Sequence, residues 1–219
     1  MKSFNSFDHL LWLFFLFIAL LIGFRMAYTG SIMHLFMCWN IFLAWIPYVL
    51  SKYFMTVKKK TTWKQVTLFI CWLLFFPNAL YIVTDIIHIE DTTDIPVWYD
   101  AVLLFASSFV GIIMAFVSLR KVEYFLRTIF SKRTVAILIP IILFTASYGV
   151  YLGRFQRWNS WDVIQNPIAL VIDIAGNFRY PFHNYKVWAI TLLFTSIYTL
   201  LYFFLKILPK AFEVGTDVK

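Results

Sequence analysis

Apolar residues in this chain gather into long uncharged stretches, unlike the periodic stripes of a soluble helix or the alternation of a half-buried strand. Six such stretches run Leu10–Phe24, Leu35–Ser51, Gln65–Thr84, Ala101–Leu119, Val135–Gly153 and Val187–Leu205. About 20 helical residues, each rising ~1.5 Å, cover a ~30 Å hydrocarbon core. Extended at their ends, the stretches predict membrane helices near residues 10–28, 31–51, 64–85, 98–119, 135–153 and 187–205 of a single domain, 1–219. The fold class expected is an all-α integral membrane protein, a bundle of about six transmembrane helices.

The segment Arg154 to Lys186 is too apolar and aromatic to be a disordered loop. Its centre, Pro167 to Ile174, can start a helix at the proline but is too short to span, which predicts a short interfacial or re-entrant helix. Gly176, Asn177 and Pro181 supply turn chemistry before the last stretch.

The charges orient these helices. Lys52, Lys58, Lys59, Lys60 and Lys64 follow the second stretch, Arg120, Lys121, Arg127, Lys132 and Arg133 the fourth, and Lys206, Lys210 and Lys219 the sixth. Loops rich in Lys and Arg stay in the cytoplasm, so both termini are expected inside. The loop after the third stretch instead carries Asp85, Glu90, Asp91 and Asp94. The net charge of +8 is therefore a topology signal and implies no nucleic acid partner. A composition 62% hydrophobic and 14% charged points the same way, to a lipid bilayer as solvent.

Lys2 before an apolar run is reminiscent of a signal peptide, but no clear small-residue cleavage site follows Leu21 to Gly23, and the first helix is expected to stay. Cys38 and Cys71 fall inside predicted helices two and three and read as packing residues rather than as a disulfide or a metal pair.

Polar groups inside such segments mark candidate chemistry, because an ionisable group in hydrocarbon costs a few kcal/mol, ~2.5 to 3.5 for Asp at mid-membrane. The third stretch acquires Pro77, Asn78, Tyr81, Thr84, Asp85 and His88 as it leaves the bilayer. If the helix continues through Pro77, then Asn78, Tyr81, Asp85 and His88 form a stripe on one face. Asp85 and His88 are candidate acid–base groups, or the ligands of a metal if one binds, and Asn78 is either a ligand contact or a partner for the backbone that Pro77 frees. Asp100 opens the fourth helix, as a capping carboxylate or as a site member.

A second cluster, Gly153, Arg154, Arg157, Asn159, Ser160, Trp161 and Asp162, follows the fifth stretch on the same outer side. Arg154 and Arg157 are three apart and on a helix would share a face, able to hold an anionic headgroup or to pair with Asp85, Asp100 or Asp162. His34 lies near the outer start of the second helix and can join the first cluster. Arg179, His183 and Lys186 add positive charge to the last outer segment.

Phe76, Pro77, Asn78, Ala79, Tyr81, Thr84, Asp85 and His88, then Trp98, Tyr99 and Asp100, and again Gly153, Arg154, Arg157, Trp158, Asn159, Ser160, Trp161 and Asp162 resemble the bacterial multi-pass membrane proteins of domain of unknown function 1361. The resemblance runs from about helix two to helix six. It implies a bacterial cytoplasmic membrane protein and brings no substrate, cofactor or catalytic residue with it.

Three functions compete. The outer polar groups bind or process an anionic lipid or lipid-linked envelope precursor; or they clasp the helices of a non-catalytic scaffold or assembly factor; or the Asn78–Asp85 stripe lines the path of a transporter or channel component.

Overall fold

The computed structural model describes residues 2–54, 63–88 and 95–212. Lys58, Lys59, Lys60, Glu90, Asp91, Asp94 and Lys219, read above as topology charges, lie outside the described residues. All regular structure among the described residues is helical. The α-helices are α1 (Lys2–Thr29), α2 (Phe36–Phe54), α3 (Trp63–Tyr81), α4 (Val97–Ile129), α5 (Lys132–Phe155), α6 (Asp162–Gln165), α7 (Pro167–Arg179) and α8 (Tyr185–Phe212), with 3-10 turns at Met33–Leu35 and Ile82–His88.

Among the described residues five helices are long and apolar enough to cross a membrane: Ser6–Thr29, Trp63–Ile87, Val97–Ile129, Lys132–Phe155 and Tyr185–Pro209. The stretch expected as a second span forms α2, a 19-residue helix whose apolar run is diluted by Asn40, Pro47, Tyr48 and Lys52 and which is not one of these five. The chain divides into two compact units, Met1–Ile129 and Phe130–Lys219.

In the first unit α4 is the pillar. Its 33 residues reach about 50 Å at ~1.5 Å per residue, and α1, α2, α3 and the second 3-10 turn all pack on it. Apolar side chains gain little from leaving lipid for protein, so such helices are held by close packing and interhelical hydrogen bonds. Both occur here. Trp72 of α3, fully buried and stacked on Phe76 at 4.5 Å, donates its indole N–H to Ser118 Oγ of α4 at 2.6 Å. Ser118 in turn donates to the Pro47 carbonyl of α2 at 3.0 Å, so one hydroxyl joins three helices.

Near the start of α1, Asp8 accepts from the Tyr48 hydroxyl at 2.6 Å and from Lys52 Nζ at 2.9 Å. Lys121 of α4 places its ammonium 4.4 Å from the centre of the same Tyr48 ring. On the same helix, Arg120 and Arg127 both donate to the buried Glu123, each at 2.6 Å.

In the second unit α5 lies along α8. Ser131 starts α5 by accepting the Thr134 backbone N–H at 3.2 Å, an N-cap. The short helix expected from Pro167 is present as α7, but it runs on through Gly176 and Asn177 to Arg179, so the chain turns at Tyr180 to Asn184 instead. Asn177 faces inward and donates to the Tyr148 hydroxyl at 3.0 Å. Tyr148 stacks on Trp188 of α8 at 5.9 Å, and Phe178 meets Trp188 edge-on at 4.8 Å. The opposite face of α7 leaves Ile168, Val171 and Ile172 exposed.

Candidate functional site

The polar cluster at the other end of the first unit begins where α1 ends. Gly30, at φ +66°, supplies the left-handed residue that stops the helix, and its N–H closes on the Met26 carbonyl at 2.9 Å. One turn earlier stands Arg25. Its Nε donates to Asp100 Oδ1 at 2.7 Å and its Nη2 to Oδ2 at 2.8 Å, with both residues only 1% exposed. This is the two-pronged fork in which planar guanidinium matches carboxylate. His34, from the first 3-10 turn and equally buried, holds Nε2 at 3.9 Å from Asp100 Oδ2. The carboxylate also sits in the first turn of α4, where free N–H groups favour negative charge. Asp100 was expected as a cap or a site member, and its principal partner is an arginine from α1.

The second part of the cluster follows Pro77. Proline removes the N–H that would bond the Leu73 carbonyl. The α-helix nevertheless continues to Tyr81 and then tightens into the 3-10 turn Ile82–His88. Asn78 donates its side-chain amide to the Phe75 carbonyl at 3.1 Å, and Thr84 donates its hydroxyl to the Tyr81 carbonyl at 2.6 Å. The change from α to 3-10 breaks the expected continuous stripe. Three residues per turn put Asp85 and His88 on one edge, while Asn78 and Tyr81 keep the phase of α3.

Close approach of α4 fixes this junction. A Cβ on Gly111 would come within 2.8 Å of the Ala79 carbonyl oxygen, so only glycine fits there without a shift. Ser108 donates to the Ile82 carbonyl at 3.3 Å. Asp85, 1% exposed, accepts the side-chain amide of Asn40 on α2 at 2.8 Å. The side chain of His88 lies outside the described residues.

The second unit carries the other candidates, and here the expected geometry is corrected. α5 ends at Phe155, so Arg154 lies in its last turn, while Arg157 lies beyond it at φ 61°. A left-handed residue reverses the chain, and Trp158 donates its N–H back to the Leu152 carbonyl at 3.1 Å. The two arginines therefore do not share a helical face. Asp162 caps a tight turn by accepting from the Asn159 backbone N–H at 2.6 Å and from its side-chain amide at 3.3 Å. Trp161 stands at the N-cap of α6, and its carbonyl accepts from Ile164 and Gln165. Trp158 reaches across to Asp173 of α7 at 2.9 Å.

Sequence reasoning missed Arg25, Asn40 and Asp8. The signal that singled out Asp85, a lone polar group at the end of an apolar run, applies equally to Arg25 after Phe24 and to Asn40 within the second stretch. Among the described residues no group of three or more His, Cys, Asp or Glu side chains gathers to hold a metal. Cys38 and Cys71 are free thiols, and both are exposed.

No curated protein and no solved structure matches this chain. The family described as protein of unknown function (DUF1361) matches residues 39–201, from the second turn of α2 to the middle of α8, which leaves α1 and Arg25 outside the matched region. The family's region takes in Asn78, Asp85, Asp100, Arg154 and Asp162, and with most of its length matched the chain belongs to the DUF1361 family.

Proposed function

We propose that this protein crosses a bacterial cytoplasmic membrane six times, with both termini in the cytoplasm, and serves there as a non-catalytic scaffold or assembly factor whose outer polar residues clasp its helices. The observation that carries this reading is the bidentate, fully buried Arg25–Asp100 pair. A carboxylate held in that fork is engaged internally, and other candidates are engaged in the same way: Asn78 on its own helix backbone, Asp85 with Asn40, Asp162 with Asn159. The exposed apolar face of α7 supports its seating as an interfacial helix on the outer leaflet.

The clasp is tested by Asp85→Asn, Arg25→Ala and Arg154→Ala, each assayed for folded yield, melting in mild detergent and cellular phenotype. Stability and phenotype falling together supports the scaffold. Full stability with a lost phenotype overturns it and favours binding or processing of an anionic lipid, the second reading, which rests on the buried Asp85 carboxylate sharing a 3-10 edge with His88.

The span count has its own test. With six spans, a cysteine at Ser131 in a cysteine-free background reacts with an impermeant maleimide only after the cells are opened, and one at Asn184 reacts in intact cells. A cysteine at Ser3, tested in the same way, lies on the same side as the one at Ser131 with six spans and on the opposite side from it if α2 does not cross.

A further inference from the structure

The second unit holds α7 against its two long helices at a set depth. Asn177 bonds the hydroxyl of Tyr148, which stands about two turns, roughly 10 Å, before the end of α5 at Phe155. Phe178 meets Trp188, which lies roughly 5 Å into α8 from its start at Tyr185. An amphipathic helix in a membrane interface buries its apolar face about 5–10 Å into the boundary between headgroups and acyl chains. With α5 and α8 as spans, these contacts keep α7, whose 13 residues are too few to cross, at that depth. Ile168, Val171, Ile172 and Ala175 follow helical spacing along its exposed face, and the same row continues one turn later to Arg179.

Charge selects the lipid. Between the two long helices the chain carries Arg154, Arg157, Arg179 and Lys186 against Asp162 and Asp173. Both carboxylates are engaged within the segment, Asp162 by Asn159 and Asp173 by the Trp158 indole. Arg179 and Lys186 are exposed and form no ion pair among the described residues. The guanidinium of Arg179 lies 5.6 Å from the ring centre of the exposed Tyr180, an aromatic suited to the headgroup zone. In the topology proposed above this end faces outward, where Lys and Arg are not needed to set orientation. We infer that α7 and the turn after it bind anionic phospholipids of the adjoining leaflet, with Ile168, Val171 and Ile172 among the acyl chains and Arg179 and Lys186 on the phosphates. The surface rests on the interfacial seating of α7 proposed above and adds the class of lipid. Long cationic side chains beside an apolar face keep their stems in it and carry their charge up to the headgroups.

Two measurements on the full chain in lipid nanodiscs test this. A nitroxide on Val171→Cys, with Cys38 and Cys71 changed to serine, reads the seating: collisions with oxygen and none with a water-soluble nickel chelate place it among acyl chains. Free access to the chelate, or the dipolar broadening of a second protein copy, overturns the seating and the lipid surface together. Amide exchange over Pro167–Arg179 reads the lipid class. It is expected to slow about fivefold or more when phosphatidylglycerol is mixed into phosphatidylcholine. That slowing is expected to vanish at high salt and in Arg179→Gln with Lys186→Gln, two exposed positions whose replacement leaves α5 and α8 exchange unchanged. Lys132→Gln with Arg133→Gln, at the opposite end of α5, keeps it. Equal exchange in the two bilayers, or slowing that survives the loss of Arg179 and Lys186, overturns the anionic surface even where the Val171 label shows α7 seated, so the two ideas fail separately.

Discussion

Arg25 and Asp100 stand 75 residues apart in sequence and meet through two hydrogen bonds of 2.7 and 2.8 Å with almost no exposure to solvent. Removing one partner leaves the other as a buried unpaired charge, which costs about 3 to 5 kcal/mol in comparable buried pairs. Arg25→Ala or Asp100→Ala is expected to lower the melting temperature in detergent sharply. The double variant Arg25→Met with Asp100→Leu is expected to recover most of that loss, because neither charge then remains. A double variant no better than either single one would show that packing, and not pairing, sets the cost.

Gly111 lets α4 approach the end of α3. Its alanine variant must push a Cβ off the Ala79 carbonyl oxygen, a backbone atom that cannot swing aside. Overpacking of this kind costs about 1 to 3 kcal/mol. Thermal unfolding of Gly111→Ala should show that loss, and the larger Gly111→Val a greater one, whereas Gly23→Ala, with open space around its position, should melt like the wild type.

Ser118 relays a hydrogen bond from Trp72 to Pro47, so Ser118→Ala leaves the buried Trp72 indole N–H without its acceptor and takes a second donor from the Pro47 carbonyl. Interhelical bonds in membranes average about 0.6 kcal/mol and reach about 1.7. Ser118→Ala is expected at the upper end, Trp72→Phe at a similar level because it also alters the stack on Phe76, and a double-mutant cycle between them is expected to show strong coupling. Additive losses would mean that the relay carries little energy.

Arg157 occupies a left-handed backbone position where most side chains are disfavoured. Arg157→Gly is expected to leave the melting temperature equal or slightly raised, by up to about 1 kcal/mol of local relief. If the variant instead unfolds at lower temperature, its guanidinium holds the fold together.

Asn177 is the buried polar link between α7 and α5. Asn177→Leu leaves the Tyr148 hydroxyl without that donor and should speed amide exchange across Pro167–Arg179. The α5 and α8 amides, protected by their own helical bonds, should be unchanged. Exchange rising equally in all three helices would make α7 part of the same cooperative unit.

The order, type and approximate bounds of the long helices were legible because a membrane helix must satisfy its backbone internally and present an apolar surface over its whole length, and both demands are written in consecutive residues. α7 was legible from Pro167, although its end was not, since Gly176 and Asn177 are turn formers that here are held in the helix, Asn177 by its bond to Tyr148. The continuous polar stripe from Asn78 to His88 was not legible as drawn. Helical phase after Pro77 depends on whether the next turn tightens, and that is set by α4 pressing Gly111 and Ser108 against the junction.

By itself, then, the sequence determined that the chain is helical and apolar enough for a bilayer and which polar residues lie near the helix ends. Hydropathy is a local property, additive along the chain. Partner choice is not. That Arg25 takes Asp100, that Asn40 takes Asp85, and that Arg154 and Arg157 part company at a left-handed turn are outcomes of helix packing and backbone geometry, which only the tertiary structure decided.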